Sequence, residues 1–188
     1  MQISEKLSAV IDEVDALRHS RDDHWQIPRV EGELLYQIAV AASAKLVVEV
    51  GTSYGFSGLF WAAALQRTGG ILRTIDISQK KFDASRDHFE RAGVGKVVVN
   101  HLGDAFEVLP KIVGPVDIAF LDGCDKSLSR EFFELIWPKV RPGGSVLTDN
   151  TKSHPGELAD YVSFCRARTD AISVDLPVGN GLEWTVKL

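Results

Sequence analysis

The sequence has few of the features that would assign it to a class at once. It has only two cysteines, Cys124 and Cys165, in 188 residues, which excludes a disulfide framework and a cysteine-rich zinc site. It has no excess of basic residues, since 26 acids against 21 lysines and arginines give a net charge of -5. We therefore expect neither nucleic acid nor an anionic membrane as a partner.

A long apolar run is also missing near the start. The first twenty residues mix acids with apolar side chains, so they predict neither a signal peptide nor a membrane span. Apolar residues at three- and four-residue spacing between positions 3 and 17 indicate an amphipathic helix instead. We expect a cytosolic protein.

The sequence does contain a regular alternation of short β-rich runs and helical patterns. At 45% hydrophobic residues, the chain fits one domain, 1–188, with an N-terminal helix and linker (1–28) and a core (29–188). The runs are apolar almost without alternation, which is typical of parallel strands buried between two layers of helices. The tail, 171–188, predicts a final hairpin around a Pro/Gly/Asn turn. The pattern therefore predicts an α/β fold.

Acidic residues end the predicted strands of this sheet. The strand ends carry, in chain order, Glu49, Asp76, Asp104, Asp122 and Asp149. In doubly wound sheets, ligands bind outside the carboxyl ends of the strands. We therefore expect the binding site at this edge.

A glycine-rich loop follows the first strand. Its glycines, Gly51, Gly55 and Gly58, do not have the G-x-G-x-x-G spacing of dinucleotide sites, and Glu49 beside them would repel a phosphate. Asp76 lies where a carboxylate binds both hydroxyls of a ribose. A ligand with a ribose, an adenine and a cationic amino-acid end but no phosphate fits this set, and S-adenosylmethionine (SAM) is such a ligand. Alternatively, the glycines form only a tight turn and Asp76 only precedes a helix.

The runs EVGTSYGFSG, IDIS, GDA, FLDGCDK and RPGGSVLTDNT resemble the ordered motifs of the class I methyltransferases. The similarity is closest to the cation-dependent O-methyltransferases of the catechol and caffeoyl-CoA type, and it covers roughly residues 28–188. It implies a Rossmann-like methyltransferase fold with a mainly parallel seven-stranded sheet, a C-terminal antiparallel hairpin and helices on both faces. It also implies a homodimer.

The resemblance implies a set of cofactor-binding residues at the strand ends. In it, Glu49 and the glycine loop bind the methionine part of SAM, Asp76 the ribose, and Asp104 with Ala105 the edge of the adenine. The full predicted set is Glu49, Gly51, Thr52, Tyr54, Gly55, Ser57, Asp76, Gly103, Asp104, Ala105 and Asp122.

The resemblance also implies three metal ligands, Asp122, Asp149 and Asn150. Two carboxylates and an amide are hard oxygen donors, so we predict Mg²⁺ as the divalent cation. Such an ion would bind two oxygens of a diol-like acceptor and lower the pKa of one hydroxyl. The alternative is that Asp149 and Asn150 belong to an ordinary turn.

One position departs from the family pattern. A lysine that can assist deprotonation usually follows the first metal aspartate by three residues, whereas Lys126 follows Asp122 by four. We predict Asp122 and Lys126 as catalytic residues, with a merely solvated Lys126 as the alternative. His154, as a wall of the acceptor pocket, and Trp25, as part of a lid, are further candidates.

These patterns predict a SAM-dependent O-methyltransferase that acts, with a divalent metal, on a small catechol-like or hydroxylated aromatic acceptor. Three alternatives stay open. One is a metal-independent methyltransferase of another small molecule, and one is a non-catalytic SAM-binding subunit. The third, a nicotinamide-dependent dehydrogenase, is disfavoured by the loop spacing and Glu49.

Overall fold

The computed structural model describes residues 3–18 and 23–188, which form a sheet of seven strands with helices on both faces. The strands are β1 Leu46–Val50, β2 Ile71–Asp76, β3 Val98–Leu102, β4 Val116–Leu121, β5 Val140–Asp149, β6 Ala171–Leu176 and β7 Leu182–Lys187. The helices are α1 Glu5–Leu17, α2 Arg29–Ala41, α3 Phe56–Thr68, α4 Gln79–Arg91, α5 Ala105–Val108, α6 Ser129–Ile136 and α7 Pro155–Arg166.

The order of the strands confirms the predicted fold class. The sheet runs β3-β2-β1-β4-β5-β7-β6, and the first five strands are parallel to one another. The last two form the predicted hairpin, in which β7 lies antiparallel to both β5 and β6. Strand order reverses between β1 and β4, and the carboxyl edge at this point is where such sheets bind ligands.

Two apolar cores lie on opposite faces of the sheet. Neighbouring strand residues alternate between them, so that Val47 packs in the core with α1 to α4 and Val48 in the core with α5 to α7. Every residue of β4 is buried, as expected for a central strand covered on both faces. The lack of alternation between apolar and polar residues in β4 is therefore explained by burial on both faces of the sheet, as predicted.

The largest difference from the predicted bounds is in β5. The sequence predicts a strand over 144–149, but β5 begins at Val140. Its pairing with β4 shifts between Val116 and Ile118, so the added residues form a bulge. A Cβ on Gly144 would lie 2.9 Å from the carbonyl oxygens of Arg141 and Asp117, which explains the glycine in the bulge.

Two helices begin at a side chain that caps their first turn. Ser78 and Asp104 are the N-cap residues of α4 and α5, and their side chains accept bonds from backbone N–H groups in the first turn. No helix within residues 3–18 and 23–188 has the length and apolarity needed to cross a membrane.

Candidate active site

The carboxyl ends of β1 to β5 border a cavity of about 670 Å³, within the usual range for small-molecule sites. Its wall includes residues from the loops that follow all five parallel strands. The predicted site residues in this wall are Gly51, Asp76, Gly103, Asp104, Ala105, Asp122, Lys126 and Asn150. Strand ends far apart in sequence therefore meet at one site, as predicted.

A second group of predicted residues lies behind the wall. This group comprises Glu49, Thr52, Tyr54, Gly55, Ser57 and Asp149. All of them are nearly inaccessible to solvent. Their direct contact with a ligand stays a prediction, and in the structure they support the wall from inside.

Glu49 shows how this support works. Its Oε1 accepts a hydrogen bond from Ser57 Oγ at 2.6 Å, and its Oε2 accepts one from Thr74 Oγ1 at 2.5 Å. The side chain thus ties β1 to the start of α3 and to β2. Burial raises the pKa of Glu49 to about 7, although the two hydroxyls oppose this rise.

Gly51 marks a close approach between two strand ends. Its φ is +99°, and an added Cβ would lie only 2.1 Å from the carbonyl oxygen of Asp122. A side chain here would therefore collide with the end of β4. The glycine is needed for the packing of the loop on β4, whatever ligand fills the cavity.

Asp76 combines a structural role with exposure to the cavity. Its two carboxylate oxygens accept bonds from the backbone N–H groups of Ser53, at 2.7 Å, and Ser78, at 2.8 Å. These bonds hold the glycine loop against the start of α4. The same carboxylate lines the cavity, so it keeps lone pairs available for a ligand's hydroxyls.

Tyr54 positions the segment before α2. Its hydroxyl donates to Asp23 Oδ2 at 2.8 Å, and its ring stacks on His24 with centroids 3.8 Å apart. The next residue, Trp25, is 67% exposed and lines the cavity, with Lys81 Nζ 5.0 Å from its ring centroid. Trp25 therefore lies in the wall of the cavity, and its role in a lid stays a prediction.

Lys126 and Asp122 form a buried ion pair at the end of β4. The Nζ of Lys126 donates to Asp122 Oδ1 at 2.7 Å, and their side chains are only 9% and 12% exposed. Burial raises the pKa of Asp122, the Asp149 carboxylate raises it further, and the Lys126 ammonium opposes both. The alternative of a merely solvated Lys126 is therefore wrong.

A third acid, Glu31, joins the two predicted acids at this edge. It lies in the first turn of α2, is fully buried, and accepts a bond at Oε2 from the backbone N–H of Asn180 at 3.1 Å. Burial and the nearby charge of Asp149 raise the pKa of Glu31 far above its usual value. Burial and the Asp149 charge therefore favour the protonated form of Glu31.

The predicted metal ligands lie at neighbouring strand ends, but the first of them, Asp122, is already paired with an ammonium. Asp122 is neutralised by Lys126, and Asp149 Oδ1 accepts the backbone N–H of Asn150 at 2.6 Å. The amide nitrogen of Asn150 donates to Ser153 Oγ at 2.8 Å. Within the described part of the chain, no cluster of three or more His, Cys, Asp or Glu side chains could hold a metal ion. The Lys126 ammonium is therefore already bound to Asp122, and a divalent cation would have to share this carboxylate or displace the ammonium.

Sequence reasoning missed several residues of the site. Ile77 and Phe106 line the cavity although they are 69% and 40% exposed. Ile77 follows Asp76 by one residue and Phe106 follows Asp104 by two. Turns at these positions are ordinarily polar, so a large apolar residue there is the sequence signal that could have identified them. Glu31 could have been found by its spacing of four from buried Leu35, which puts an acid on the apolar face of α2.

Comparison with known families gives a match to a family model described as "Methyltransferase domain", over residues 48–151. This range runs from within β1 to the end of β5 and holds the strand-end residues from Glu49 to Asn150. The chain belongs to this methyltransferase family. Its affiliation agrees with the resemblance inferred from the motifs.

Curated relatives add more specific names. The chain is 32% identical over 124 residues to a catechol O-methyltransferase of Niastella koreensis, across 64% of this chain and 55% of that protein. It is 31% identical over 176 residues to caffeoyl-CoA O-methyltransferase 2 of Zea mays, across 81% of this chain and 66% of that protein. The chain thus spans about half to two thirds of the length of these relatives.

Solved structures confirm the fold of this methyltransferase family member. An O-methyltransferase from Bacillus cereus, crystallised in complex with SAH, superposes with a TM-score of 0.83 at 23% identity, covering 100% of this chain and 93% of that one. A methyltransferase of Podospora anserina, also bound to SAH, gives a TM-score of 0.86 at 20% identity, covering 99% and 89%. At these identities the likeness supports the fold alone.

Proposed function

We propose that this protein is a SAM-dependent O-methyltransferase that acts on a small hydroxylated aromatic acceptor of the catechol type. The observation that carries the proposal is the arrangement of one cavity with two kinds of wall. Asp76 and Asp104 line it at the ends of β2 and β3, and the Asp122–Lys126 pair lines it at the end of β4. The names of the curated relatives support the same reaction.

The first kind of wall suits SAM. Asp76 offers a carboxylate to ribose hydroxyls, and Ile77 with Phe106 offers apolar surface to an adenine ring. Gly103 and Asp104 border the same region. When bound, SAM supplies an electrophilic methyl group on sulfur and is released as S-adenosylhomocysteine (SAH).

The second kind of wall suits the acceptor hydroxyl. The Asp122 carboxylate accepts the hydroxyl proton, and burial suits it to this task because it raises the pKa of Asp122 toward that of a base. The Lys126 ammonium stabilises the negative charge that remains on the oxygen. The electron pair of that oxygen then forms the bond to the methyl carbon. The rest of the rate acceleration comes from holding SAM and the acceptor in a reactive orientation.

A divalent cation, predicted from the sequence, is left out of this proposal because the Lys126 ammonium is already paired with Asp122, the first of its predicted ligands. The cytosolic location and the homodimer stay predictions. Fractionation of the native host and light scattering of the purified chain would test them.

The experiment is methyl transfer from isotope-labelled SAM to a panel of probes, namely 3,4-dihydroxybenzoate, catechol, a primary amine and a thiol. We expect label on an oxygen of the two diols, with one SAH released per methyl group, and a much lower rate for Asp122→Asn. Binding of SAM without transfer to any probe would instead support a non-catalytic SAM-binding subunit. Label on the amine or the thiol would support another class of methyltransferase.

A further inference from the structure

Lys126 is an unusual cation at this site because it is buried. Its side chain is only 9% exposed and its Nζ lies 2.7 Å from Asp122 Oδ1. The same residue lines the cavity beside Asn150. An ammonium with three N–H donors thus stands at the end of β4, with one donor used by Asp122 and no hydrogen bond from the other two to the residues that the structure describes.

The local chain explains why this lysine turns back onto Asp122. Asp125 caps a short 3-10 turn, Lys126–Leu128, by accepting bonds at Oδ1 from the backbone N–H of Ser127 at 3.1 Å and from Ser127 Oγ at 2.6 Å. Lys126 is the first residue of this turn. The cap therefore fixes the backbone from which the lysine reaches Asp122, and the spacing of four residues is part of that geometry.

Other groups at this edge are arranged around a single positive charge. Within the described part of the chain, the acids that act on one another beside Lys126 are Glu31, Glu49, Asp122 and Asp149. Glu31 is buried without an ion pair and Asp149 is bonded to backbone and amide N–H groups. One ammonium therefore balances the acid at the end of β4, and a dication would have to displace it.

We propose that the Lys126 ammonium stands in place of the divalent cation of related enzymes and holds the acceptor oxygen, so that methyl transfer by this protein needs no metal. This inference rests on the proposed function. It adds that the positive charge that orients the acceptor is the side chain of Lys126 and not a bound metal ion. The two free N–H donors bind one or two acceptor oxygens, and Asp122 keeps the ammonium in place.

The activity test compares the parent with three variants in excess EDTA and in excess Mg²⁺, with 3,4-dihydroxybenzoate as the acceptor. We expect equal parent rates in both conditions. Lys126→Met, which keeps chain length but loses the charge, should lose about a hundredfold or more in kcat. Lys126→Arg should recover part of this loss. Lys96→Ala, an exposed lysine outside the cavity, is the matched control and should match the parent.

The variants must also separate positioning from folding. We expect the SAH affinity of Lys126→Met to stay near that of the parent, because the lysine lies on the proposed acceptor side of the cavity. The loss of a buried ion-pair partner should lower its thermal unfolding midpoint, so rates are compared at a temperature at which both proteins are folded. A parent rate that collapses in EDTA and returns with Mg²⁺ would overturn the proposal. So would a Lys126→Met enzyme as fast as the parent.

A second measurement needs no turnover and so separates this inference from the proposed function. Mn²⁺ is titrated into the SAH-saturated parent and followed by electron paramagnetic resonance. We expect no stoichiometric binding. One Mn²⁺ bound per chain and lost in Asp149→Ala would overturn the inference, even if no acceptor were methylated. The proposed function alone would fail if no probe were methylated while the protein still bound no Mn²⁺ stoichiometrically.

Discussion

The backbone N–H of Ser53, in the glycine loop, donates to Asp76 Oδ2 across the gap between β1 and β2 at 2.7 Å. A second N–H, from Ser78, binds Oδ1. One carboxylate therefore holds together the two loops that border the cofactor side of the cavity. A change at Asp76 therefore acts on both loops and, if SAM binds as proposed, on the ligand as well.

For Asp76→Ala we expect SAH affinity to fall by about 1.5 to 3 kcal/mol, roughly ten- to a hundredfold, since hydrogen bonds to a charged group are lost. Isothermal titration calorimetry measures this. Asp76→Asn is the matched control, because its amide oxygen can still accept the N–H of Ser53, and it should lose less. Unchanged affinity in a folded Asp76→Ala protein would remove Asp76 from the site.

Gly51→Ala should destabilise the fold itself. The added Cβ would meet the Asp122 carbonyl at 2.1 Å in a residue with φ of +99°, so we expect a loss of about 3 kcal/mol or more in the free energy of unfolding. Urea denaturation measures it. Gly156→Ala, where an added Cβ meets nothing within 4 Å, is the control and should be neutral or slightly stabilising. A Gly51→Ala protein as stable as the parent would contradict the close approach of the strand ends.

Tyr54→Phe removes the hydroxyl that binds Asp23 but keeps the ring that stacks on His24. We expect faster amide hydrogen exchange in residues 24–27, because this segment loses one of its ties to the glycine loop. Exchange in β4, whose residues are fully buried, should not change and serves as the internal control. Equal exchange of 24–27 in both proteins would mean that stacking alone holds the segment.

The strand-end acids illustrate what the sequence could predict. Parallel strands point their carboxyl ends the same way, so Asp76, Asp104 and Asp122 had to meet at one edge once the alternation of strands and helices was recognised. The final hairpin follows from local patterns as well, whereas the seven-stranded sheet was implied by the family resemblance. The shared edge and the hairpin depend on periodicity and on residues close in sequence.

The Glu31 and Lys126 contacts could not be predicted in the same way. Glu31 meets the turn at Asn180 across 149 residues, which only the packing of α2 against the hairpin decides. The ion pair of Lys126 depends on a capped 3-10 turn that redirects the side chain. The Mg²⁺ prediction was based on the oxygen donors at the strand ends. The sequence does not show that the fold pairs one of these donors, Asp122, with Lys126.

Glu49 predicts a pH dependence of stability. Its pKa in the folded protein is about 7, above the ordinary value of 4.5, because burial disfavours its charge. Below pH 4.5 it is protonated in both states. Between 4.5 and 7 the folded state binds more protons than the unfolded state, so this residue makes stability fall as pH rises through that window.

The size of this stability change follows from the pKa difference between the folded and unfolded states, since one pKa unit corresponds to about 1.36 kcal/mol. From about pH 5 to pH 8, Glu49 should cost the ligand-free protein roughly 2 to 3 kcal/mol of unfolding free energy. Glu49→Gln keeps one acceptor oxygen for the Ser57 and Thr74 hydroxyls, and its NH2 group can donate to the other hydroxyl oxygen. It cannot ionise, so its stability should fall less over this range. Urea denaturation of both proteins across the range measures the difference. Parallel profiles for parent and variant would show that Glu49 is ionised throughout and that burial does not hold it neutral.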